Sequence, residues 1–345
     1  MQFGIFDHVD RAADRPLAQQ LDERIQYIAE AERLSFYAYH VAEHHASPIN
    51  MVPVPGLFLA AAARATKKIR LGPLVYLLPL YSPLRLIEEV AILDQLSHGR
   101  LEVGVGRGVS PFELNYHKVS YEDSRAIFQD AFAALREGLT QERLTHRGPY
   151  FTYDDVPMEL RALQTPHPPF WYAASAPGSA RWAGEQGCHF VTLGPPKNAR
   201  ATIDDFKAGL AARGGASIAK PEFKGGTAIG VHRQMFVAET DAEAMARGKV
   251  YHDQHHWSLT KLRRENKEYP GFTRAQPDSF EEAVAQRTII YGSPATMRAE
   301  VARQIEELGL TYMIGSFFFG NMPLDEALRS MKLFATEVMP AFASL

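Results

Sequence analysis

The chain has 345 residues, 46% of them hydrophobic and 22% charged, with a formal net charge of -3. That balance supports a large buried core and offers no broad attraction for nucleic acid or an anionic membrane, so small-molecule partners are expected. A single cysteine, Cys188, has no partner for a disulfide and too few fellows for a thiolate metal site, which fits a reducing, cytoplasmic setting. The stretch Met1 to Asp10 lacks the basic and long apolar regions of a secretion signal, and the longest apolar run, Val52 to Ala65, is interrupted by Pro53 and Pro55.

Gln2 to Phe6 reads as a strand, followed by a helix from Leu17 to Leu34 with Leu17, Leu21, Ile25, Ile28 and Ala31 on one face. The same unit recurs. A strand at Tyr37 to Ala42 precedes a helix at Gly56 to Thr66, and a strand at Ile69 to Leu77 precedes a helix at Pro83 to Leu96. Leu101 to Val105 then leads to a long helix near Glu122 to Glu142. Phe170 to Ala174 precedes a helix at Ser179 to Gln186, and His189 to Leu193 one at Thr202 to Ala212. Val231 to Ala238 is a seventh strand, followed by a helix from Asp241 onward; Thr311 to Phe317 is the eighth, and Leu324 to Phe334 closes the chain as helix. Eight strands alternating with helices, without a break in composition, predict a single α/β domain over residues 1–345, a closed (β/α)₈ barrel rather than an open doubly wound sheet. Two segments interrupt the rhythm. His146 to Pro169 is rich in proline and aromatics, and Tyr251 to Thr288, with Pro270 and Pro277, is a lid candidate or plain surface helix and loop.

Glu43, His44 and His45 follow the second strand, at the rim where such barrels place chemistry, and one imidazole oriented by Glu43 suits a general base. A polar loop would look the same. Gly104, Gly106 and Gly108 bracket Arg107 after the fourth strand, letting backbone approach a ligand while a guanidinium reaches an anion such as phosphate; the alternative is a tight turn with a solvated arginine. Val109 stands where a dinucleotide fingerprint needs glycine. Ser175, Pro177, Gly178 and Ser179 open the next helix, where hydroxyls and N–H groups bind phosphate, although Ser179 also suits ordinary capping. Pro73 inside Gly72 to Leu78 predicts a bulge able to support a flat cofactor. His252, His255 and His256 are read as polar helix residues rather than metal ligands.

Together, Glu43-His44-His45, the run Leu93-Asp94-Gln95-Leu96-Ser97-His98-Gly99-Arg100-Leu101, the run Gly104-Val105-Gly106-Arg107-Gly108, Pro166-His167-Pro168-Pro169 and the Ser175 to Trp182 turn resemble the bacterial luciferase-like monooxygenases over nearly the whole chain. The resemblance implies an α/β barrel that uses reduced FMN, supplied by a separate reductase, and O₂ to oxygenate an organic substrate through a C4a-peroxyflavin. It implies His44 as base with Glu43 beside it. It places Leu74, Val75, Gly106, Arg107, Ala174, Ser175 and Ser179 around the cofactor, puts a non-proline cis peptide at Leu74-Val75, and implies a homodimer formed through helices flanking the second and third strands.

One departure bears on activity: the luciferase catalytic subunit carries a reactive cysteine beside the phosphate arginine, where this chain has Gly106, so light emission is in doubt and another substrate is expected. Tyr76, Phe112, Tyr116, Trp257 and Phe317 are candidates for an apolar substrate pocket, and each suits the core equally. Two rival readings are an F420-dependent oxidoreductase that transfers hydride without oxygen, and a flavin-binding protein without turnover.

Overall fold

Short apolar runs bounded by helices become parallel strands buried on both faces. The computed structural model describes residues 1–266, 277 and 279–343. In chain order its elements are β1 (Gln2–Asp7), α1 (Leu17–Arg33), β2 (Ala38–Val41), α2 (Pro55–Ala65), β3 (Arg70–Pro73), β4 (Tyr76–Leu77), α3 (Pro83–Leu96), β5 (Val103–Gly106), α4 (Pro111–Tyr116), α5 (Ser124–Thr140), β6 (Arg143–Arg147) and β7 (Thr152–Pro157). There follow β8 (Phe170–Ala173), α6 (Pro177–Gln186), β9 (His189–Thr192), α7 (Pro196–Arg213), β10 (Ile229–Val237), α8 (Asp241–Glu265), α9 (Phe280–Ala285), β11 (Ile289–Gly292), α10 (Pro294–Leu308), β12 (Tyr312–Ser316) and α11 (Leu324–Leu333).

Parallel pairing runs β3-β2-β1-β12-β10-β9-β8-β5-β4. The two ends of that path are halves of one strand, because only Leu74 and Val75 separate β3 from β4. Leu71 of β3 also bridges Leu101, just ahead of β5. Its N–H donates to Arg100 O at 3.0 Å and its carbonyl accepts from Glu102 N–H at 2.8 Å, which closes the ring. Eight strand positions therefore follow one another around a (β/α)₈ barrel in chain order, as the alternation predicts.

Two apolar clusters hold it together. The larger joins the outer faces of the strands to the helices, with Ile5, Val103, Phe190 and Phe236 fully or nearly buried. The smaller fills the barrel with Trp171, Val191, Phe223, Tyr312 and Ile314. Polar side chains among them find partners: Trp171 Nε1 donates to Glu102 Oε2 at 2.6 Å, Arg70 pairs with Glu102, and His40 Nε2 lies 3.0 Å from the Tyr312 hydroxyl. Glycine permits the tight ring where β3 meets β5, since a Cβ at Gly72 would overlap Glu102 O and one at Gly104 would overlap Pro73 O.

The third strand breaks where Pro73 predicts a bulge, and the Leu74-Val75 peptide is cis. Within His146 to Pro169 lies part of an antiparallel hairpin, β6 with β7, outside the barrel. Helix α7 starts six residues earlier than periodicity suggests because Pro196 suits a first helical turn. β11 was not expected; it pairs with the end of β10, Gln234 to Val237, and extends the rim. The lid candidate contains the end of α8 and all of α9, while residues 267–276 and 278 lie outside the described residues. Among the described residues no helix is long and apolar enough to cross a membrane.

Candidate active site

A cavity of about 390 Å³ opens at the C-terminal ends of the strands. Its lining includes Glu43, His44, Leu74, Val75, Gly106, Arg107, Ala174, Ser175 and Ser179, so all the residues expected around a cofactor, and both expected at the chemistry, meet there. The Leu74-Val75 bulge is fixed at both ends: Leu74 N–H donates to Val41 O at 2.8 Å, and Leu77 N–H donates to Glu43 Oε2 at 2.9 Å. Gly106 faces this bulge, and a Cβ there would overlap Val75 Cγ2, so the residue that fills the space a cysteine would need is Val75.

The described partners of Arg107 are hydroxyls, with Nη1 3.5 Å from Ser124 Oγ and Nη2 3.3 Å from the Tyr121 hydroxyl. Its positive charge therefore remains available to an anion. Helix α6 starts nearby with Ala176 at its N-cap and no side-chain cap bond; Ser179 lies within the first turn. An uncapped helix start leaves N–H groups and the positive end of the helix dipole open.

His44 Nδ1 lies 3.1 Å and 3.3 Å from the two carboxylate oxygens of Glu113, on α4. Burial alone would lower the His44 pKa, but the charge and hydrogen bond of Glu113, helped by the charge of Glu43, outweigh it and raise it. Glu43 does not orient His44. Its Oε1 is 2.9 Å from His45 Nε2, and its Oε2 accepts from Leu77 N–H and, at 3.0 Å, from the Tyr81 hydroxyl. Burial raises the Glu43 pKa against those hydrogen bonds. Glu113 is thus a site residue that the sequence reading missed; the signal was an acid three residues after Ser110, which caps α4.

Further imidazoles line the cavity. His8, just after β1, stacks on His44 at 5.7 Å between ring centroids and approaches His255 to 5.2 Å. Burial, then the neighbouring His255, His44 and His232, push its pKa well down. His232 Nε2 is 2.9 Å from Ser316 Oγ, and burial followed by Arg233 and His255 lowers its pKa to about 3. His252 Nδ1 is 2.6 Å from Gln234 Oε1, and burial, then His255 and His256, lowers its pKa to about 3. His255 Nδ1 is 2.9 Å from Asp10 Oδ2. Among the described residues, no group of three or more His, Cys, Asp or Glu is placed to hold a metal ion.

None of the five aromatic pocket candidates lines the cavity. Tyr76 is fully buried and donates to Glu89 at 2.7 Å on the helix side, because strand alternation turns Val75 and Leu77 inward and Tyr76 outward. Phe317 packs against Phe334 in the outer core. Phe112 is buried on α4, and Tyr116 at its end is exposed. Trp257 is 50% exposed beneath Arg264, on the other face of α8 from His255 and Leu259. The cavity's apolar surface comes instead from Phe6, Leu74, Val75, Leu77, Val191, Leu193, Leu259 and Ile314.

A sequence profile described as luciferase-like monooxygenase matches residues 1–312. The oxygenase component of a flavin-dependent trigonelline monooxygenase from Acinetobacter baylyi is 28% identical, over 99% of this chain and 96% of that protein. A crystal structure of a monooxygenase from Streptomyces bottropensis superposes with a TM-score of 0.88 at 28% identity, covering 99% of this chain and 100% of the other. A type II Baeyer-Villiger monooxygenase, the oxygenating constituent of 3,6-diketocamphane monooxygenase from Pseudomonas putida in complex with FMN, shares the fold at a TM-score of 0.79 and 20% identity, covering 99% and 98%.

Proposed function

This chain belongs to the luciferase-like monooxygenase family and is a flavin-dependent monooxygenase, and on that premise we propose that it uses reduced FMN and O₂ to oxygenate a small organic substrate through a C4a-peroxyflavin. The observation that carries the reading is the convergence, on one cavity, of Arg107 and the uncapped start of α6 at one place and the Leu74-Val75 bulge at another. These residues fit flavin mononucleotide. Arg107, Ser175, Ser179 and the α6 N–H groups would hold the phosphate, and Leu74, Val75, Ala174 and Gly106 would leave a flat space for the ring. Bound there, the flavin supplies the activation of oxygen.

The chain's own residues do the rest. His44, backed by Glu113, holds or releases a proton at Nε2, Glu43 fixes the bulge through Leu77 N–H, and the apolar walls exclude water. Because the trigonelline relative is named as an oxygenase component, a separate flavin reductase is the proposed source of reduced FMN. Light emission is not part of the proposal, given Gly106. The whole chain acts as one barrel domain in this reading, and two copies pair through α2 and α3, where Leu57 and Ile92 are exposed.

Anaerobic titration with reduced FMN and, in parallel, reduced F420 tests the cofactor. Saturable binding of FMN alone, followed by flavin reoxidation on mixing with O₂, is the expected result. Binding of F420 alone would defeat the proposal in favour of hydride transfer.

A further inference from the structure

Among the described residues, two imidazole–carboxylate pairs have their imidazole on the cavity wall, and the function proposed above uses only one of them. His44 with Glu113 sits on the side of the Leu74-Val75 bulge, the proposed place of the flavin. The second pair is His255 on α8 with Asp10, which follows β1. Both pairs have the same build: Nδ1 meets a buried carboxylate, and the imidazole lines the cavity with Nε2 as its remaining polar atom. Asp10 is 3% exposed, and it is fixed further by Gly320 N–H, which donates to Oδ2 at 3.1 Å. His8 lies between the two pairs.

A buried carboxylate on Nδ1 selects the tautomer with Nε2 unprotonated and stabilises the imidazolium that forms when Nε2 takes a proton. Among the described residues, the titratable groups around His255 include Asp10, His8, His232 and His252, with His256 next to it on α8, and Asp10 is its carboxylate partner. Such a base, placed in a largely apolar cavity away from the bulge, suits removal of a proton from a substrate hydroxyl.

We infer that His255, oriented by Asp10, is a second acid–base residue that acts on the substrate, and that the substrate is a small molecule with an acidic hydroxyl, a phenol or enol. The inference rests on the monooxygenase reading above. The O–H bond breaks, the proton goes to His255 Nε2, and the electron pair stays on the substrate oxygen. This makes the carbon ortho to that oxygen in a phenol, or the β-carbon of an enol, electron-rich enough to form a C–O bond to one atom of O₂ as the O–O bond breaks in the flavin-dependent reaction. The proton then passes from His255 to the second oxygen atom of O₂, which leaves as water. The reduced flavin supplies the two electrons and two hydrogens, one to the inserted oxygen and one to the water. The hydrogen of the substituted carbon moves to the substrate oxygen and restores its hydroxyl.

The test uses 4-nitrophenol, whose anion is yellow, with the protein at a pH where the free probe is mostly protonated. The expected result is a bound yellow anion in the native protein, at least tenfold weaker binding of that anion in His255→Ala, weakened binding in Asp10→Asn, and retention in His44→Ala. Asp10→Asn keeps an acceptor for Gly320, and thermal melting of each variant shows whether it is folded. A folded His255→Ala that still binds the anion like the native protein overturns the assignment, as does loss in His44→Ala alone. Absence of bound anion in the native protein overturns the hydroxyl class. Reduced FMN binding, measured on the same samples, separates the two proposals: binding of FMN without the anion defeats this one only, and the anion without FMN defeats the cofactor reading only.

Discussion

Replacing Glu113 by Gln should move the rising limb of the pH–rate profile to lower pH and lower its plateau. In the native protein Glu113 carries a buried charge 3.1 Å from His44 Nδ1, and that charge with its hydrogen bond raises the His44 pKa against burial. A base works in its neutral form, so the rate climbs with pH through the His44 pKa. Removing the charge leaves burial to act with less opposition, the pKa falls, and the limb shifts acidward. The plateau drops because the imidazolium formed at the reaction loses its counter-charge. A hydrogen bond to a charged group is worth about 1.5–3 kcal/mol, which corresponds to a roughly 10- to 150-fold loss of kcat. Gln has nearly the shape of Glu, and the Glu113 N–H to Ser110 Oγ contact that starts α4 does not involve the side chain. Steady-state rates from pH 5.5 to 9, with reduced FMN affinity as control, make the measurement. An unmoved limb with an unmoved plateau, or a limb shifted to higher pH, would refute the role given to Glu113.

Arg107→Ala should weaken reduced FMN binding by about 1.5–3 kcal/mol while leaving riboflavin binding, which involves no phosphate, nearly unchanged; equal losses for both ligands would count against a phosphate contact. Gly106→Ala places a methyl against Val75 Cγ2 and should cost about 1–3 kcal/mol of stability, read as a lower melting temperature. Adding Val75→Ala should restore much of that loss, and no restoration would remove the steric account. Stability should also fall on acidification. His40, with a pKa lowered to about 4, and His189, His232 and His252, lowered to about 3, are kept neutral chiefly by burial. The unfolded chain therefore binds more protons below the ordinary histidine pKa of about 6.5, and each residue costs up to about 1.4 kcal/mol per pH unit below it. His44, with its raised pKa, works in the opposite direction, adding stability that is present at low pH and fades as pH rises through its folded value. Urea midpoints at pH 7.5, 6.5 and 5.5 check the net sign, and a midpoint that rises on acidification contradicts it.

The barrel was legible because a parallel strand buried on both faces needs an apolar run and nothing else, and eight such runs alternate with helices. β11 was not, since Ile289 to Gly292 is a four-residue run at the end of a mixed, charged segment. Cofactor-side candidates were legible for a related reason: Glu43, His44, Arg107 and Ser175 each lie within three residues of a strand's C-terminal end, and the ends of parallel strands converge on one rim. What the sequence could not disclose was pairing across the rim. Glu113 lies 69 residues from His44, and Asp10 lies 245 residues from His255. No local spacing carries such information. The aromatic pocket candidates failed through parity: Tyr76 is one residue from inward-facing neighbours, and Trp257 is two from His255 on a helix, which places each on the opposite face.

The two sides of the cavity are built differently, and this has a consequence for specificity. The proposed flavin side comes from β2, β3, β4, β5 and β8, whose ends are held by barrel hydrogen bonds and by glycines that a side chain would displace. The opposite side comes largely from His252, His255, His256 and Leu259 on α8, together with Thr288 and Ile289 at the start of β11. A helix added after the seventh strand position can exchange one side chain for another without disturbing the ring, whereas Gly104 or Gly106 cannot change without moving Pro73 or Val75. Substitutions on the inner face of α8 should therefore alter which substrate is taken while sparing flavin binding, and substitutions at the bulge should affect both together.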